Sequence, residues 1–103
     1  MTDPTIARSI EVLKSAKALL VLDGWTQGSY LNDEGRMCAN GALYWVEGHY
    51  YSGSGKHLIE TVREITNDQY IGVESWNDQP GRTVEEVLDM YDKTIARLEG
   101  MIE

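Results

Sequence analysis

The sequence predicts an α+β domain, mostly helical, with about four helices and a small β-hairpin after the first. Two observations predict it. Apolar residues recur at intervals of three and four near both ends of the 103-residue chain. A turn-forming tetrapeptide flanked by non-helical, β-prone stretches follows the first of these segments. The length fits one compact domain over residues 1–103.

The first helix is predicted from about Pro4 to Leu22, with Asp3 as its N-cap and Pro4 in the first helical position. Ile6, Ile10, Leu13, Ala16 and Leu20 form its stripe, and Val12, Leu19 and Leu22 widen it. Asp23-Gly24 ends it, glycine being suited to the left-handed C-terminal position. The hairpin follows, with Trp25 to Leu31 and Arg36-Met37 as short strands about the turn Asn32-Asp33-Glu34-Gly35. Two strands alone are marginal in water, so this hairpin must lean on helices.

A second helix is expected from Cys38 or Ala39 to about Tyr50, with Leu43, Val46 and Tyr50 on one face. Its helical geometry lets Trp45 point inward and Tyr44 outward. Ser52-Gly53-Ser54-Gly55 reads as a flexible loop before a third helix, about Lys56 to Thr66. Tyr70 to Glu74 has strand propensity. The last helix is the clearest. Thr83-Val84-Glu85-Glu86 is a capping box, and Val84, Val87, Leu88, Tyr91, Ile95, Leu98 and Ile102 make a stripe to the C-terminus. The first and last helices are expected to pack together.

Composition narrows the function. The formal charge is -8. Residues 1–55 hold six acids and four bases, residues 56–103 eleven and five. Without a basic patch to neutralise phosphates, nucleic acid is not an expected partner. No apolar run approaches the roughly 20 residues of a membrane helix, and the N-terminus lacks the basic start of a signal peptide. A single cysteine, Cys38, allows no internal disulfide, so a cytoplasmic setting is expected. Self-association stays open.

Chemical motifs are sparse. Gly53-Ser54-Gly55-Lys56 lacks the earlier glycine and the following Ser or Thr of a phosphate-binding loop. Cys38, His49 and His57 match no zinc spacing, so neither metal nor cofactor is expected. Cys38 at a helix start, His57 or His49 as base, and Asn77 or Asp78 as orienting group form the weak outline of a cysteine hydrolase. The plainer reading of Cys38 is a small buried residue.

The aromatic residues say more. Three tryptophans, six tyrosines and no phenylalanine mean that every ring carries a polar atom, which suits half-wet contact positions. The candidate binding residues are Tyr44, Tyr50 and Tyr51, together with Trp76, Asn77, Asp78 and Arg82 in the turn before the last helix. The competing structural reading has Trp76 pinning that turn to the core. The leading expectation is a non-catalytic protein that binds another protein. The alternatives are a small-molecule (nucleotide-like) binder using Arg36 or Arg82 for phosphate, and a Cys38-dependent hydrolase or transferase.

Trp25-Thr26-Gln27-Gly28, then Gly35, then Cys38-x-x-Gly41-Ala42-Leu43, then Trp76-Asn77-Asp78-x-x-Gly81-Arg82-Thr83-x-Glu85-Glu86-Val87-Leu88 carry a resemblance. Over about residues 10–98 the chain resembles a family of small uncharacterised proteins from actinobacteria and their phages. That resemblance implies a source, and a phage-encoded modulator of a host protein or defence system would fit it. It brings no catalytic assignment.

Overall fold

Residues 4–48 and 53–102 are described in the computed structural model. They form five helices: α1 (Pro4–Asp23), α2 (Ala39–Glu47), α3 (Gly53–Thr66), α4 (Val73–Asn77) and α5 (Val84–Glu99). The helices share one apolar core, in which Leu13, Leu43, Leu58, Val62, Val87, Met90, Tyr91 and Leu98 are fully buried.

The two long helices pack against each other as their stripes predict. Lys14 reaches Glu99 at 3.3 Å and Lys17 reaches Asp92 at 2.6 Å, so α1 and α5 run antiparallel. The capping box of α5 is present: Thr83 Oγ1 accepts from the Glu86 N–H, and Glu86 Oε1 accepts from the Thr83 N–H. Leu22, assigned to the α1 stripe, is instead 79% exposed, because it lies off the face that meets α2 and α5. The proposed N-cap Asp3 lies outside the described residues.

The expected hairpin is absent, and with it the α+β class: the described residues are mostly helical and hold no sheet. The turn itself is real. The Gly35 N–H donates to the Asn32 carbonyl, and Asn32 Oδ1 accepts from Glu34 and Arg36. Its flanks pair only through isolated bridges, Trp25 and Leu31 each with Met37. The backbone between them serves other elements. Gly28 N–H is taken by Asp78, and the Tyr30 carbonyl packs against Gly41. A strand ladder would have needed those groups.

Four other expectations change. Residues 70–74 form no strand; Tyr70 N–H closes a turn onto Asp68, and α4 starts at Val73 so that Val73 and Trp76 bury together. Helix α2 stops at Glu47, because Gly48 takes the left-handed conformation and its N–H returns to the Tyr44 carbonyl. Gly53-Ser54-Gly55 is the first turn of α3, with Ser54 buried and bonded to Ser9 at 3.0 Å. Trp45 points outward, 65% exposed, since α2 buries its other side against α1 and α3.

Candidate functional site

The quoted motifs meet around Asn77. This side chain is fully buried at the end of α4. Its Oδ1 accepts from the Trp25 indole at 2.7 Å and from the Ala39 N–H at 3.0 Å. Its Nδ2 donates to the Thr26 carbonyl and to Asp78 Oδ1. Gln27 donates to the carbonyls of Asn77 and Gln79, each at 2.9 Å. The Trp-Thr-Gln-Gly segment is thus clamped to the Trp-Asn-Asp segment about 50 positions away.

Arg82 completes the clamp from below. Its guanidinium lies 4.1 Å over the Trp76 ring, and its Nε donates to the Trp76 carbonyl. Its remaining nitrogens bond Glu86 and the Gln79 side chain. Gly81 permits the turn with φ +86°.

Cys38 and Gly41 place the start of α2. The Cys38 Sγ caps the helix by accepting from the Gly41 N–H at 3.3 Å. A Cβ on Gly41 would lie 2.0 Å from the Tyr30 carbonyl oxygen, so only glycine lets the loop rest there. Tyr91 donates to the Ala39 carbonyl at 2.6 Å and ties the same turn to α5.

This scaffold leaves an open cleft of about 350 Å3, lined by Gly28, Ser29, Tyr30, Cys38, Glu74 and Asp78. Glu74 and Asp78 stand four positions apart about α4, which puts both carboxylates on one side. The Tyr30 hydroxyl donates to Glu74 at 2.9 Å. That bond, then burial and the nearby negative charge, pushes the Tyr30 phenol up to about 12. Burial by itself raises the Glu74 carboxyl, but hydrogen bonds from its own backbone, Asn40 and Tyr30 outweigh it and hold the group below its ordinary range. Burial raises the Cys38 thiol, and the N–H groups of Gly41 and Asn40 offset this only in part.

A second cleft, about 360 Å3, adjoins the first and shares Glu74. Asn40, Tyr44, Lys56 and Ile59 are among its walls. Tyr30 and Tyr44 meet edge to face where the two join, with ring centroids 5.3 Å apart.

The structure thus brings together Cys38 and Asp78 but not His57. His57 is buried on α3, where its carbonyl accepts from Arg97 at 2.7 Å and its Nδ1 has no partner among the described residues. Among the described residues no imidazole lines the Cys38 cleft, and burial raises the thiol pKa. Trp76, Asn77 and Arg82 are the clamp beneath the site. Tyr44 stands at its edge, while His49, Tyr50 and Tyr51 lie outside the described residues. Tyr30 and Glu74 are the cleft residues that sequence reasoning missed. The four-residue spacing of Glu74 and Asp78 was their one available signal, and it depends on a helix read there as a strand.

Among the described residues no helix is long and apolar enough to cross a membrane. No three of their His, Cys, Asp or Glu side chains converge so as to hold a metal ion. A family model described as "Family of unknown function (DUF6197)" matches residues 4–97. No curated protein and no solved structure matches.

Proposed function

We propose that this chain, which belongs to the DUF6197 family of unknown function, is a non-catalytic protein-binding module. Its contact face is the Tyr30–Tyr44 pair and the clefts on either side. The observation that carries this reading is the pair itself. Two large rings, 47% and 37% exposed, lean on each other beside concave surface, and Trp45 stands exposed next to Tyr44. Amphipathic rings held rigid at the mouth of a cleft are the usual anchors of a protein contact. The clamp under them fixes the loop that carries Tyr30, so little ordering is needed on binding.

The alternatives draw less support. A Cys38 hydrolase of the kind outlined needs an imidazole beside the thiol, and the described residues of the cleft walls supply none. A nucleotide-like ligand needs an arginine in the cleft. Arg82 is occupied by Trp76, Gln79 and Glu86, and Arg36 borders a different cleft near the end of α1. The resemblance to proteins of actinobacteria and their phages makes a host protein in the cytoplasm of such a cell the partner to seek first.

A random peptide library selected against the immobilised chain tests the proposal. Enriched sequences are expected to lose binding to a Tyr30→Ser, Tyr44→Ser double variant that keeps its fold. Enrichment indifferent to that variant, or none at all, overturns the reading.

A further inference from the structure

Glu74 and Asp78 have no ion-pair partner among the described residues, although Glu74 is half-buried. The arginines nearest in sequence are engaged elsewhere. Arg82 is bound to the clamp and Arg63 donates to the Ile71 carbonyl, while Lys56 lines the adjoining cleft, which also has Glu74 on its wall, without forming an ion pair with it. Among the described residues no cationic side chain lines the cleft that the two carboxylates share. Both hydrogen bonds to Asp78 fall on Oδ1, which leaves Oδ2 available. The other walls are Tyr30, Cys38, Gly28 and Ser29, a largely apolar surface beside the charge.

We infer that this cleft receives one arginine or lysine side chain of the partner segment, with its methylene stem along Tyr30 and Cys38 and its charged head between Glu74 and Asp78. The inference rests on the docking face proposed above and names the chemistry of its anchor. A basic side chain matches this surface along its length, because its stem is apolar and its head cationic. A guanidinium can bridge two carboxylates, whereas an ammonium meets them as a point charge, so arginine is favoured over lysine. The charge of -8 on the whole chain attracts a basic segment from a distance.

The test uses the full chain labelled with 15N and four acetylated, amidated peptides Ala-Xaa-Ala. The central residue is arginine, lysine, citrulline or norleucine. Arginine and lysine peptides are expected to move the amides of Gly28, Ser29 and Asp78, with arginine the tighter. Citrulline has the shape of arginine without the charge, and is expected to bind about fivefold or more weakly. Glu74→Gln with Asp78→Asn keeps the side-chain shapes and one acceptor oxygen on each but removes both charges, and is expected to abolish the difference. Equal binding of citrulline and arginine, or shifts elsewhere, overturns the inference. Library peptides that need Tyr30 and Tyr44 but no basic residue would overturn it while leaving the docking face standing. Concentration-dependent shifts of the same amides without peptide would overturn it in favour of a second copy of the chain.

Discussion

The indole N–H of Trp25 and the side-chain carbonyl of Asn77 meet at 2.7 Å and join the loop after α1 to the end of α4. The same oxygen takes the Ala39 N–H, so one buried amide sets both the loop that bears Tyr30 and the start of α2. The cleft exists because those two segments are held at fixed separation.

Asn77→Leu fills about the same volume and accepts nothing. It strands the Trp25 and Ala39 donors, and an unmet buried donor costs about 1–3 kcal/mol. Urea unfolding is expected to show a loss of about 2–4 kcal/mol. A loss below about 1 kcal/mol would mean that the clamp is not what holds the loop.

Gly41→Ala and Gly55→Ala are opposite cases on neighbouring helices. At Gly41 the new methyl would lie 2.0 Å from the Tyr30 carbonyl oxygen, so the loop must move, at a cost of about 2 kcal/mol or more. At Gly55 it would lie 3.8 Å from a Leu43 methyl, an ordinary contact, so helix propensity gains about 0.5–1 kcal/mol. Paired thermal melts check both signs.

Cys38 is expected to resist iodoacetamide near neutral pH in the folded chain and to react once the chain is unfolded. Cys38→Ser keeps an N-cap acceptor and should hold stability within about 1 kcal/mol of the parent. Rapid alkylation of the native protein would revive a catalytic reading of this residue.

The stability of the fold should fall as pH drops below neutrality. Burial lowers the pKa of His57 below its ordinary 6.5, and the nearby Arg97 and Lys56 add to this against the pull of Glu60. The unfolded chain then binds the proton more readily than the folded one. The stability this residue contributes is therefore complete above about pH 6.5 and lost below it. His57→Gln, neutral at every pH, should flatten the melting temperature between pH 7 and about pH 5.5. The depressed carboxyls of Glu74 and Glu86 act lower, below their ordinary 4.5.

The long helices were legible because their signals are local. The capping box of α5 and the stripe from Ile10 to Leu20 need only a few turns of chain to declare themselves. Of residues 24–37 the helix stop at Gly24 and the turn Asn32-Asp33-Glu34-Gly35 were legible, but the flanks of that turn were not, because they serve partners outside a strand ladder. Gly28 bonds to Asp78, and Met37 meets Trp25 and Leu31 in single bridges instead of ladders. Residues 70–74 misled for a related reason: β propensity at Tyr70, Ile71 and Val73 means little without a strand to join. Of the cleft, Cys38 and Asp78 could be singled out by residue type. Tyr30 and Glu74 became visible only once α4 and the loop were seen to face each other.

The most direct test of the account is an amide chemical-shift map of the full chain with its best library-selected peptide. The account predicts perturbations centred on Gly28 to Tyr30, Cys38 to Trp45 and Glu74 to Asp78. Perturbations gathered instead around the exposed Val21 and Leu22 at the end of α1, with the Tyr30–Tyr44 pair unmoved, would contradict it.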